Sequence, residues 1–195
     1  SLIGTGRASY LWARRCRFED GGDVHVYFDG LHSGGFVDCT FDASASKFAW
    51  MIFVNWDIDR AFRARRPVNS RYLVADGCTF EGGELCIVGA NQFSNCLLID
   101  NDVGPVGAFM RMSSGFDRGN SLIGNRLDGV EALVRFWQHP VGRTGNTTIL
   151  RGNKARGLKY IVDAAGPGIP SSLLAEQNDL AGEKRPQVRI TLRVI

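Results

Sequence analysis

The sequence predicts an all-β parallel solenoid, on three observations: a repeat near 24 residues, columns that keep one chemistry through it, and no single long apolar run. Setting Cys16, Cys39, Cys78, Asn101, Asn125, Asn153 and Asn178 in one column makes the residue two places later Phe18, Phe41, Phe80, Val103, Leu127, Ala155 and Leu180. The residue three places earlier reads Ala13, Phe36, Ala75, Leu98, Leu122, Leu150 and Ala175. Both flanking columns are apolar throughout. The spacings along the column are 23, 39, 23, 24, 28 and 25 residues, so one insertion of about fifteen residues follows Trp50.

Each element follows from stacking. Seven isolated short strands cannot bury their faces, but placing each on its equivalent in the next rung, about 4.8 Å away, makes parallel sheets and a continuous core. Like then lies on like. Asn101, Asn125, Asn153 and Asn178 are expected to form an amide ladder inside a turn, since a buried amide without partners is costly. The five cysteines lack any paired Cys-x-x-Cys spacing, so small buried thiols are expected rather than a zinc knuckle or redox pair. The stretch "SSLLAEQNDLAGEK" starts like a capped helix, yet its Asn178 and Leu180 keep the column and favour a final rung.

Composition sets outer bounds. A chain of 195 residues with 44% hydrophobic content fits one domain over 1–195, and no run of about 18 apolar residues suggests a membrane segment. The start "SLIGTGRASY" lacks the zones of a signal peptide. Net charge is only +3, but the basic residues are mostly arginine, which suits fork-like recognition of carboxylate, sulfate or phosphate. The ending "VRITLRVI" alternates at Val188, Ile190 and Leu192 with no polar cap. That points to a fragment of a larger chain or a homo-oligomer joined through exposed solenoid ends.

The rung Leu122-Ile123-Gly124-Asn125-Arg126-Leu127-Asp128-Gly129 resembles those of the right-handed parallel β-helix of the pectate-lyase-like superfamily, and the pattern runs through nearly the whole chain. The resemblance implies a single-stranded right-handed parallel β-helix of about seven rungs, with one long loop insertion at 55–71. It also implies an extracellular, cell-surface or virion setting, and a ligand lying across the outer face of the first sheet. It leaves function open, because that architecture hosts polysaccharide lyases, glycoside hydrolases, epimerases, phage tailspikes and adhesins.

Alternation then assigns the outer face. In "AFMRM", Ala108, Met110 and Met112 are expected inside, with Phe109 and Arg111 outside; in "ALVRFW", Ala132, Val134 and Phe136 inside, with Leu133, Arg135 and Trp137 outside. The next rung puts Tyr160 and Val162 inside, Ile161 and Asp163 outside. Toward the N-terminus the same face carries Glu84 and Cys86, then His25 and Tyr27, while residues 48–55 are apolar on both faces and give no direction. The candidate binding residues are therefore Arg111, Arg135, Trp137, Phe109, Asp163, Glu84, His25 and Tyr27.

Aromatic rings stack on sugar faces and arginine pairs with uronate or sulfate, so this face suits an acidic polysaccharide. The bland alternative is an exposed Arg135–Asp163 cross-strand ion pair of little worth. The insertion "NWDIDRAFRARRPVNSR" suits a lid or binding loop. Its Asp57 and Asp59 are too few for calcium and face adjacent arginines, so no metal and no cofactor are expected, and nucleic acid is disfavoured. The chain lacks an Asp-Asp pair with a Gly-His-Gly turn like that of polygalacturonase-type hydrolases, and a pectate-lyase-like run of calcium-binding carboxylates. No catalytic residue is assigned; an enzyme on this frame would be a polysaccharide lyase or glycoside hydrolase. Two functions stay open: a carbohydrate-recognising or carbohydrate-processing domain, and a non-catalytic structural or receptor-binding solenoid such as part of a tailspike or adhesin.

Overall fold

Three parallel sheets carry the repeat in a computed structural model that describes residues 2–4, 8–19, 22–55, 70–89, 93–112, 119–137, 147–165, 172–180 and 187–191. The first sheet holds, in spatial order, Leu2–Gly4, Val24–Asp29, Trp50–Asn55, Leu85–Gly89, Ala108–Met112, Ala132–Trp137, Tyr160–Ala165 and Gln187–Thr191. The second holds Ala8–Arg14, Leu31–Val37, Leu73–Asp76, Leu97–Ile99, Asn120–Ile123, Thr147–Arg151 and Ser172–Glu176. The third holds Arg17–Glu19, Thr40–Ala43, Thr79–Gly82, Asp102–Val103, Arg126–Asp128 and Lys154–Arg156. Each strand pairs with its equivalents one rung away, and no helix occurs among the described residues. The protein is an all-β parallel solenoid.

The solenoid makes about five turns rather than about seven rungs. The third sheet thins at both ends of the column. Arg17–Glu19, beside Cys16, is an edge of the third sheet, and Asp179, beside Asn178, joins that sheet only by one bridge to Lys154. The segment read two ways is a rung, since Ser172–Glu176 pairs in register with Thr147–Arg151. The insertion lies outside the described residues between 56 and 69, and so does Leu192; Val188 and Ile190 sit in the last strand of the first sheet.

Between the second and third sheets the chain turns on a left-handed residue in every rung. Arg15, Asp38, Gly77, Asp100, Gly124, Gly152 and Gln177 each directly precede a column member, with φ between 51° and 68°. A side chain there costs about 1–2 kcal/mol, so something must hold the corner. The amide ladder does. Asn125 Oδ1 accepts from Asn101 backbone N at 3.0 Å and Asn101 Nδ2 at 2.9 Å, while Asn125 Nδ2 donates to Leu98 O at 2.9 Å and Asn153 Oδ1 at 2.8 Å. Asn153 and Asn178 repeat the pattern one and two rungs on. Two places later Phe18, Phe41 and Phe80 stack at 4.7 and 5.0 Å with planes 7° apart.

The first sheet departs from simple alternation. Partners run Leu85 with Ala108 and Ile87 with Met110, skipping the position between, and the same gap recurs on neighbouring rungs. There two successive residues enter the main core: Cys86 with Ile87, Phe109 with Met110, Leu133 with Val134. Their neighbours Leu85, Val88, Ala108 and Ala132 form a separate buried cluster with Trp50, Phe53 and Tyr160. This corrects the alternation reading. Phe109 and Leu133 point inward, Phe109 edge-on to Phe80 at 6.0 Å, while Ala108, Ala132 and Tyr160 join the outer cluster. Cys86 and His25 are buried too, because they occupy the same skipped position.

Candidate functional site

Once the skipped position is allowed for, the outer face of the first sheet can be built rung by rung. One outer column runs Tyr27, Phe53, Val88, Arg111, Arg135, Asp163. A second runs Trp50, Leu85, Ala108, Ala132, Tyr160. Directly before it lie Glu84, Gly107, Glu131 and Lys159. The two columns meet through aromatic and charged contacts.

At the first rungs Tyr27 stacks on Phe53 at 5.2 Å and Phe53 on Trp50 at 5.4 Å, with planes 7° and 12° apart. Asn55 Nδ2 donates to the Tyr27 hydroxyl at 3.1 Å. Trp50 Nε1 donates to Glu84 Oε2 at 3.2 Å, and the Arg111 guanidinium lies 5.4 Å from the same indole. Gly107 leaves room beside this group: a Cβ there would meet Glu84 O at 2.7 Å and Arg135 Nη1 at 3.5 Å. Arg135 donates through Nε to Asp163 at 3.0 Å and through Nη2 to Glu131 at 3.2 Å, and Lys159 reaches Glu131 at 3.1 Å. Lys159 also sits 5.2 Å from the Tyr160 ring.

Burial decides what these charges do. The side chains of Arg135 and Asp163 are 18% and 12% exposed, so the pair is sheltered rather than the exposed cross-strand pair expected. Burial pushes the Arg111 guanidinium down from its ordinary value and Arg135 adds to this, while Glu84 opposes it. Burial pushes the Glu131 carboxyl up, but Lys159 and Arg135 outweigh it and hold Glu131 below its ordinary value. Glu131 is therefore ionised at neutral pH and carries no proton to give. Among the described side chains of this face, Arg111, Arg135 and Lys159 stand with the carboxylates Glu84, Glu131 and Asp163, and Arg189 follows Asp163 in the register.

Of the residues singled out from sequence, Tyr27, Glu84, Arg111, Arg135 and Asp163 come together on this face, with Phe109 and His25 in the interior instead. Trp137 lies level with Ala165, and its side chain falls outside the described residues. Sequence reasoning missed Trp50, Phe53, Glu131, Lys159 and Tyr160. The signal was there: Glu84, Gly107, Glu131 and Lys159 each precede an apolar or aromatic strand start at the repeat spacing.

The third sheet offers a shallow concavity of about 560 Å³, lined by alternating charges including Glu81, Asp102, Arg126 and Lys154. Its ion pairs, such as Arg126 with Asp102 at 2.5 Å, are exposed and cross from rung to rung. Such a pair contributes little. Among the described residues no cluster of three His, Cys, Asp or Glu side chains is placed to hold a metal ion, and no helix is long and apolar enough to cross a membrane.

Fold and face together define a parallel β-solenoid with a mixed aromatic and charged outer sheet. No protein-family model matches the chain, and neither the curated proteins nor the solved structures contain a match to it.

Proposed function

We propose that the protein is a carbohydrate-recognising solenoid of the pectate-lyase-like kind, acting outside the cell or on a virion, with an acidic polysaccharide lying across the outer face of its first sheet. The observation that carries this reading is the series of contacts from Tyr27 through Phe53 and Trp50 to the Arg111 guanidinium, with Arg135 one rung further on, which puts aromatic rings and arginines on one outer face. Rings suit sugar faces and guanidinium suits uronate carboxylates. Glu84 and Glu131 flank Gly107 two rungs apart, and Glu131, held ionised, is not the proton donor that a glycosidase needs beside its carboxylate.

A second reading rests on a different fact: Arg135 already spends its fork on Asp163 and Glu131, which is what a non-catalytic structural or receptor-binding solenoid would do. Uronate-oligomer affinity, measured for the wild type and for R111Q/R135Q at two salt concentrations, separates the two. The carbohydrate reading expects salt-sensitive binding that weakens about tenfold or more in the variant. Absence of wild-type binding, or equal affinity in both forms, removes it and leaves the structural solenoid.

A further inference from the structure

At the start of the second sheet four rungs turn on a left-handed residue, with φ of 60° at Tyr10, 65° at Tyr72, 58° at Asn95 and 66° at Gly119, while Ser33, level with Tyr72, does not adopt it. Asn95 and Gly119 are the residue types that tolerate this conformation, and an aromatic with a full Cβ is disfavoured in it. Yet Tyr10 and Tyr72 occupy it while 80% and 48% exposed, so their rings gain little burial in return. Tyr10 is also the extra residue of a bulge, since Ser9 pairs with Ser33 and Leu11 with Gly34. A bulge re-aims a side chain.

Trp12, 52% exposed, completes the group. Its ring edge lies over Gly35 on the next rung, where an added Cβ would stand 2.7 Å from Cζ3. The glycine leaves room for the ring edge, beside Val74 O, which an added Cβ would meet at 2.5 Å. Tyr10 and Tyr72 are two rungs apart, about 10 Å along the solenoid axis. That interval accommodates two hexose rings of an extended chain, whose flat faces recur along it.

Local charge narrows the occupant. The Arg71 guanidinium lies 5.5 Å from the Tyr72 ring, and toward the other end of the same strands Arg14 pairs with Asp38 at 3.5 Å while Asp76 shares its outer column, so the surroundings hold both signs rather than a continuous basic groove. A strand of nucleic acid needs a continuous positive track beside its stacking rings. A neutral polymer does not. We infer that Tyr10, Trp12 and Tyr72 form a stacking platform for a neutral, extended β-1,4-linked glycan, extending the carbohydrate reading to a second surface of different chemistry.

Calorimetric titration with cellohexaose, in parallel with a uronate oligomer and a single-stranded oligothymidylate, tests the platform in the full chain. The wild type is expected to bind cellohexaose with an affinity insensitive to salt. Y10N/Y72N and, separately, W12A are expected to weaken it about tenfold or more, and R111Q/R135Q to leave it unchanged. Because asparagine suits the left-handed corner, Y10N/Y72N is expected to melt at the wild-type temperature or above. A lower melting temperature would mean that the rings serve the fold, and would overturn the inference. So would absence of cellohexaose binding, unchanged binding in both platform variants, or salt-sensitive oligothymidylate binding lost in Y10N/Y72N. Uronate binding alone would retain the first-sheet reading and discard the platform.

Discussion

The corner column between the second and third sheets has two halves. Cysteine fills it at Cys16, Cys39 and Cys78, and asparagine from Asn101 to Asn178. Both halves do one job in common. Cys39 Sγ donates to Ala13 O at 3.5 Å and Cys78 Sγ to Phe36 O at 3.4 Å; Asn101, Asn125, Asn153 and Asn178 donate through Nδ2 to Ala75, Leu98, Leu122 and Leu150. Each acceptor is the residue three places before the column in the preceding rung. The halves differ in acceptance. Each asparagine from Asn125 on also takes the backbone N–H and the side-chain amide of the rung before it, whereas a thiol is only a weak acceptor.

The thiols remain donors because they stay protonated. Burial pushes Cys39 up and Cys78 up to about 12, and holds Cys86 well above its ordinary value. All five cysteines are free; in the column Cys39 and Cys78 serve as small, weakly donating core residues, whereas Cys16, expected buried, is exposed on the edge rung. A shared geometry is thus filled by two chemistries of different strength, and substitution can exchange them.

The largest effect is expected from Asn125→Leu. It strips the acceptor from two Asn101 donors and removes the Nδ2 donor from Leu98 O and from Asn153 Oδ1, which keeps only the backbone N–H of residue 125, so a loss of about 3 kcal/mol should appear in urea unfolding. Unchanged stability would mean that the ladder is ornamental. Gly124→Ala comes next, at about 2 kcal/mol, because it adds left-handed strain and drives its Cβ against Asp100 Oδ1. Gly152→Ala, with nothing nearer than 4.0 Å, should cost less, and equal costs would show that the corner feels only φ.

Exchange between the halves should be gentler. Asn125→Cys keeps the donor and loses the acceptor, for about 1–2 kcal/mol, and Cys78→Asn should stay within about 1 kcal/mol of the wild type because it continues the ladder. A Cys78→Asn protein that fails to fold would show that the first rungs are shaped for sulfur. The smallest effect concerns acid. Hydrogen bonding from Arg126 holds Asp102 below its ordinary value of 3.8, so the pair's contribution is full above that pH and is lost as pH falls through the lower folded value. Because both side chains are at least half exposed, Asp102→Asn should cost under about 1 kcal/mol at neutral pH and nothing at the acid end of the titration.

Much of the fold was legible because stacking forces each column to keep one chemistry. A reader aligning Cys39, Cys78 and Asn101 sees the corner without coordinates, and Phe18, Phe41 and Phe80 disclose the core beside it. The candidate site was legible only in part. Arg111, Arg135 and Asp163 were placed on one outer column, as the register has them. Phe109 and His25 were misplaced because period-two alternation carries no record of a position where two successive side chains enter the core. Trp50 and Phe53 were left without a direction for the same reason, since an all-apolar strand hides its own phase.

The sequence by itself determined the repeat, the parallel solenoid and the amide ladder, because periodic stacking makes every rung report on its neighbours. Tertiary structure alone decided which face each first-sheet residue occupies, and that Arg135 is held between Asp163 and Glu131 rather than facing solvent. It also set the Tyr10, Trp12 and Tyr72 rings on an exposed corner. Those properties follow from backbone bends and from the spacing of separate rungs, which residue order constrains only after the chain has closed on itself.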